Sequence, residues 1–291
     1  MVSITSTIKN GQTMRSIDRC FRFLVLLVAA MGSQTFDAFA QDTTAPTKAA
    51  DPAELAKKLA NPVASLISVP FQNNTDVGIG SYKGSKNILN VQPVVPVKLT
   101  QKLNLIARVV LPIISQHDIT GENTTQSGLS DAVVSGFVSP AEAKNGLVWG
   151  AGPAFLVPTA TNDFLGTKKF GVGPTALILR QANGWTYGAL VNQIWSVAGD
   201  ETRAAVNQLY LQPFVVRNWK SGAGVGLSSE ITQNWEAATS SVFILPSISG
   251  ITKLGKQIVS LALGPRIQVA APGGNKANFG VRAALTFVFP K

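Results

Sequence analysis

The last 35 residues set the pattern for the chain. From Gln257 to Ala270, Val259, Leu261, Leu263, Pro265, Ile267 and Val269 form one apolar row, alternating with Ser260, Ala262, Gly264, Arg266 and Gln268. After a Pro-Gly-Gly-Asn turn the alternation resumes: Phe279, Val281, Ala283, Leu285, Phe287 and Phe289 against Asn278, Gly280, Arg282, Ala284 and Thr286. A period of two predicts strands, because successive side chains leave opposite faces of a sheet. The apolar row is continuous and bulky while the polar row is small, which predicts lipid outside and water within. The same reading over the rest of the chain predicts strands at 65–80, 87–99, 103–114, 130–139, 146–158, 169–181, 185–197, 204–219, 223–235, 241–252, 257–270 and 277–290. The fold class is therefore all-β: an antiparallel transmembrane barrel of about twelve strands, with residues 65–291 as the barrel.

Composition narrows this reading. The chain is 45 % hydrophobic and only 14 % charged, yet no run of eighteen apolar residues could span a bilayer as a helix. At the N-terminus, Arg15, Arg19 and Arg22 precede the apolar run Phe23 to Met31, and Ala38-Phe39-Ala40 closes it. That is a signal-peptide pattern, predicting export with cleavage near Ala40 and a signal over residues 1–40. The single cysteine, Cys20, lies inside that signal, so the mature chain carries no disulfide. The signal takes four of the 25 basic and two of the 15 acidic residues, leaving a net charge of +8. These basic residues are scattered without a basic helix or an aromatic platform, which argues against nucleic acid as a partner.

Residues 41–64 read as a linker and one short helix. Asp51-Pro52-Ala53-Glu54 has the form of an N-cap, a proline at the first helical position and an acid in the first turn; Asn61-Pro62 ends the helix. It reads as a periplasmic lead-in rather than a plug in the barrel mouth. Tight turns at 100–102, 182–184, 220–222 and 253–256 alternate with longer polar stretches, notably Gln116 to Ser130 and Thr159 to Lys169. Short turns on the periplasmic side and long loops outside fit a bacterial outer-membrane barrel. Aromatic residues near strand ends predict two girdles: Trp149, Trp185, Trp219, Phe137 and Phe289 at the periplasmic rim, and Trp195, Trp235, Phe155 and Phe279 at the outer one.

A series of motifs runs through the chain. Gly146 to Pro153 reads GLVWGAGP; Pro158-Thr159-Ala160-Thr161, Gly171-Val172-Gly173-Pro174, Gly188 to Asn192, Trp195 to Asp200, Gln212-Pro213-Phe214, Asn234-Trp235 and the terminal Phe289-Pro290-Lys291 follow. In these the chain resembles the bacterial outer-membrane transporters similar to the MetA phenol-degradation-pathway protein, over roughly residues 51–291. It departs from their pattern at Val216-Arg217 and at Ser247 and Ser249. The resemblance implies a barrel and small-molecule passage, and brings no catalytic residues.

No catalytic constellation stands out. His117 is the only histidine and falls in the predicted loop after the third strand. With no second histidine and no mature cysteine, neither a metal site nor a cofactor is implied, and no enzyme activity is expected. Function is placed in the lumen, where the alternation turns Arg108, Glu230, Asn234, Arg266, Gln268 and Arg282 inward as the solute pathway. Arg266 and Arg282 would sit roughly opposite each other, which like charges tolerate only with something negative between them. The function expected is a channel or transporter for small solutes, with anionic, aromatic and hydrophobic compounds as candidates. The alternatives are a non-conducting structural barrel or surface receptor with a filled lumen and, more distantly, a lipid enzyme facing the membrane. Expected partners are outer-membrane lipids, the solute, and the barrel-assembly machinery during insertion.

Overall fold

The structure, a computed structural model, describes residues 51–289. The signal peptide and linker assigned to residues 1–50 lie outside the described residues. One helix, α1 (Pro52–Leu59), precedes twelve strands: β1 (Ile67–Ile79), β2 (Gly84–Val91, continuing as Val94–Lys98), β3 (Leu103–His117), β4 (Thr125–Leu129, continuing as Ala132–Pro140), β5 (Leu147–Val157) and β6 (Lys169–Ala182). Then come β7 (Trp185–Gly199), β8 (Asn207–Asn218), β9 (Gly224–Asn234), β10 (Thr239–Leu254), β11 (Gln257–Pro265, continuing as Ile267–Ala270) and β12 (Phe279–Phe289). Each strand pairs antiparallel with its sequence neighbours, and β12 returns to β1 from Ile67↔Phe289 to Val77↔Phe279. The sheet is therefore closed, and no edge is left unpaired.

Local chemistry explains where strands turn and where they break. Asn183 and Gly184 both take positive φ, 51° and 77°, forming the two-residue turn whose twist matches the flanking strands β6 and β7. Ladder pairs are missing at Gly136–Phe137 opposite Gly152–Pro153, and at Gly173–Pro174 opposite β7. Pro153 and Pro174 have no N–H to donate, so the ladder lapses around them. The strands around the third loop are longer than the sequence pattern predicts. The residues 116–130 expected as one loop contain the end of β3 and the start of β4, and only 118–124 turn. His117 is accordingly the last residue of β3, with Nδ1 2.9 Å from Thr125 Oγ1 and Nε2 3.2 Å from Asp118 Oδ2.

The outer face is apolar where lipid is expected. Leu261, Leu263, Ile267, Val269, Ile248 and Leu227 are all about half exposed. The rim aromatics Trp149, Trp185, Trp219, Phe289, Trp195, Trp235 and Phe279 are exposed too. Phe155 is only partly exposed, stacked on Phe170 with ring centroids 6.4 Å apart, and Phe137 departs further: only 1 % exposed, it faces Ile106 across the β3–β4 ladder and points inward. An apolar cluster of Ile106, Phe137, Val148, Leu177, Leu179 and Leu190 fills that side of the interior, with Val63 packed on it. The interior is thus apolar over a large part of β3–β7, with Arg108, Ser135, Thr175 and Asn192 as polar positions among it, and mainly polar along β1–β2 and β8–β12.

Candidate functional site: a two-chambered lumen

The helix that opens the chain closes one end of the barrel. Asp51 caps it by accepting from Ala53 N at 3.0 Å, and Pro52 needs no donor at the first position. Leu55 buries its side chain in a cluster with Ala64, Leu66 and Val288. Gln181 Nε2 donates to Lys57 O at 2.7 Å, and Asn104 Nδ2 donates to Ser65 Oγ at 2.7 Å. The segment expected as a lead-in is therefore seated in the mouth. The reason is its apolar stripe: Leu55 and Leu59 find the inward-facing Val288, Ile251 and Ile258 at the ends of β12, β10 and β11.

Beyond the helix, two of the cavities in the lumen share part of their lining. The inner one, about 340 Å³, is lined by Leu59, Asn61, Ser68, Ser247, Ser260 and Ala262, among others. The outer one, about 540 Å³, reaches the loop between β5 and β6. Gln72, Gln92, Arg108 and Gln212 line both, so they form the waist between them. The loop over the outer chamber is latched rather than loose. Asp131 accepts from Thr167 N at 2.6 Å, from Thr167 Oγ1 at 2.7 Å and from Ala160 N at 3.2 Å. Arg203 Nη2 holds the same loop through Gly166 O at 2.7 Å and Asp163 O at 2.8 Å.

Along the polar wall the charges are paired. Arg282 donates to Glu230 Oε2 at 2.9 Å and to Asn74 Oδ1 at 2.6 Å, and a second nitrogen lies 2.9 Å from Glu230 Oε1. Arg266 lies 3.5 Å from Asp76 Oδ2 and 3.3 Å from the centroid of the Phe243 ring. That pair is held by charge and cation–π attraction without a hydrogen bond: Asp76 Oδ1 and Arg266 Nε and Nη1 are buried and without hydrogen-bond partners among the described residues. The two arginines are not cross-strand partners. Gly264 stands opposite Arg282, and Arg266 N donates to Gly280 O at 2.8 Å. The hairpin register sets Arg266 opposite Gly280 and Arg282 opposite Gly264, so the two side chains lie two positions apart along the strands and each meets its own carboxylate.

The structure turns Arg108, Glu230, Arg266, Gln268 and Arg282 into the lumen. Asn234 sits at the end of β9, where its Oδ1 accepts from Ala237 N at 3.0 Å. Gln268 accepts from Ala277 N at 2.9 Å, bracing the turn before β12. Sequence reasoning missed Asp76, Asn74 and Lys86 as members of this cluster. Their signal was present in the even positions of β1 and β2, where Asp76 stands opposite Lys86 and Asn74 opposite Ile88. At the outward positions of the same strands, Asn73, Thr75 and Asn87 hydrogen-bond one another at 2.7–3.1 Å. That polar outward row hides the alternation in β1 and β2.

A closed twelve-stranded antiparallel barrel with an apolar outside and a partly polar lumen belongs to the class of outer-membrane β-barrels. Among solved structures the chain is similar to an outer membrane channel from Pseudomonas putida F1, with a TM-score of 0.61 and 16 % identity over 78 % of this chain and 96 % of that one. At this identity the likeness establishes the fold. The outer membrane phospholipase A of Escherichia coli superposes more loosely, with a TM-score of 0.41 and 11 % identity over 77 % of this chain and 98 % of that one. No protein-family profile matches the chain, and no curated protein sequence does.

Proposed function

We propose that the protein is an outer-membrane channel for small solutes, with the helix-bearing end in the periplasm and the loop 158–168 outside. The observation that carries this reading is the pair of chambers meeting at one shared waist inside a closed barrel. Binding and conduction need polar groups that can replace water around a solute, and the waist offers three amides and one guanidinium. The protein's own contribution is passage, not chemistry; lipids solvate its apolar face, and the assembly machinery inserts it. The sequence resemblance to transporters similar to the MetA protein agrees with this role.

Planar-bilayer recording tests the proposal. With α1 seated in the mouth, conductance should be small, and removal of residues 51–60 should raise it severalfold. A silent barrel both with and without those residues would overturn the channel reading. It would favour the second one, a filled structural barrel, which the apolar cluster around Ile106 and Phe137 supports.

A further inference from the structure

We infer that the outer chamber is a binding site for a monocarboxylate with an apolar body, the acid group seated on Arg108. The inference rests on the channel reading only for its physiological meaning; the site stands on its own geometry. Three observations meet there.

The first is charge. Four inward cations line this part of the barrel, and they are not alike. Arg282 has Glu230 at 2.9 Å and Arg266 has Asp76 at 3.5 Å. Lys86 stands opposite Asp76 in the ladder. Arg108 is different: its hydrogen-bond partner is a neutral amide, Gln92 Oε1 at 2.9 Å, and no carboxylate lies within ion-pair distance of it among the described residues. A half-buried guanidinium facing a cavity with no carboxylate in contact with it favours an incoming anion. Its planar fork matches a carboxylate with two parallel hydrogen bonds.

The second is a neighbouring donor. Tyr210 lines the same chamber, and its hydroxyl has no hydrogen-bond partner among the described residues. Glu230 lines it as well, but its two oxygens are taken by Arg282, so it leaves Arg108 free for the ligand.

The third is the apolar part of the wall. Val133, Leu156 and Ile194 line the arc of the chamber that runs from the strand beside Arg108 to the strand beside Tyr210, with Val206 near its end, and Leu165 of the latched loop closes over it. Amides such as Gln92, Asn192 and Gln208 line the chamber too, but its single cation among the described residues, beside an apolar arc and within about 540 Å³, favours a ligand with one acidic end and a hydrocarbon or aromatic remainder.

Titration calorimetry on the full mature chain in lipid nanodiscs tests this with benzoate, benzamide and acetate. Benzamide has the shape of benzoate without its charge; acetate has the charge without the ring. Benzoate should bind more tightly than either. Arg108→Gln should weaken benzoate by roughly 10- to 100-fold, the loss of one charge-assisted contact, and leave benzamide unchanged. Heat-modifiable migration on gels checks that the variant is a folded barrel. Should it fail to fold, the order of the three ligands on the wild type still decides. Equal binding of benzoate and benzamide, equal binding of benzoate and acetate, or an unchanged benzoate affinity in a folded Arg108→Gln barrel would each overturn the site. Conductance without a benzoate preference sinks the site and keeps the channel; Arg108-dependent benzoate binding in a barrel that never conducts does the reverse.

Discussion

At the scale of single residues, the two arginines of the last hairpin show how placement alters worth. Arg282 holds Glu230 and Asn74 in a site where its own side chain is 14 % exposed and that of Glu230 16 %. Removing one partner of such a pair leaves a charge without compensation, which costs more than the pair itself contributes. Arg282→Ala should therefore destabilise the barrel by about 3 kcal/mol, and adding Glu230→Ala should recover part of that loss. Denaturant titration of liposome-folded protein measures both; a double variant no more stable than the single one would show that the pair is not coupled. Gly280 matters for a related reason. A side chain there would collide with the Asp76 carboxylate and with the backbone of Arg266, so Gly280→Val should disturb the Arg266 site with no change in charge. On the lipid face, Leu263 is 52 % exposed while its neighbour Ala262 lines the inner chamber. Leu263→Arg should cost about 2–4 kcal/mol if it lies near the bilayer midplane, whereas Ala262→Arg should lower conductance at little cost in stability. Equal penalties in the same folding assay would mean that the two faces have been confused.

At the scale of elements, the loops beyond the helix-free end are fastened by specific acceptors. Asp131 gathers the β5–β6 loop through Thr167 and Ala160. Asp131→Asn turns one accepting oxygen into a donor facing N–H and O–H groups, and it should free the loop 158–168 without unfolding the barrel. Limited proteolysis would then cut near Phe164, which is 66 % exposed, far faster than in the wild type. In the neighbouring loop, the Thr202 hydroxyl and then its amide hold Asp200 below the ordinary carboxylate range. A depressed folded value means the hydrogen bonds favour the folded loop above the ordinary carboxylate pKa and lose that preference as pH falls through the folded value. Thr202→Val should move the Asp200 titration upward, observable by NMR of the carboxylate. Helix α1 is the third element of this kind. Eight residues do not sustain a helix alone; its order comes from the mouth it occupies.

At the scale of the molecule, pairing sets the sign of the lumen. Lys86, Arg108, Arg266 and Arg282 stand against Asp76 and Glu230, an excess of two positive charges in this cluster. Weak anion selectivity follows, because a pore screens charge less where water is scarce. Its carriers, however, are Arg108 and Lys86 and not the hairpin arginines, whose charges are already met. Reversal potentials in a salt gradient should show anion preference in the wild type, reduced in Arg108→Gln. Replacing both Arg266 and Arg282 leaves two cations facing two carboxylates, so that variant should be close to unselective. Cation selectivity in the wild type would contradict the assignment.

What the sequence determined by itself was the barrel. Alternation in β11 and β12, turn residues such as Asn183-Gly184, and the even count of apolar stretches require only local geometry, because a strand's two faces differ by a step of one residue. The inward direction of Arg108, Glu230, Arg266, Gln268 and Arg282 follows from the same arithmetic. Tertiary structure decided what those side chains meet. Arg266 and Arg282 look opposed along the hairpin, yet its register sets Gly280 and Gly264 against them, and the closure of β12 onto β1 supplies Asp76 and Asn74 from some 200 positions earlier in the chain. Phe137 shares its alternation with a rim aromatic, but only the assembled interior shows that Ile106, Val148 and Leu179 surround it. His117 read as loop because polar residues follow it, whereas pairing with Ser85 and Thr125 extends β3 to its position. The seat of α1 was equally closed to inspection of the chain. A short amphipathic helix is the same string of residues whether it trails in solvent or fills a mouth, and the inward ends of β10, β11 and β12 decide between the two by offering Leu55 and Leu59 an apolar surface to bury.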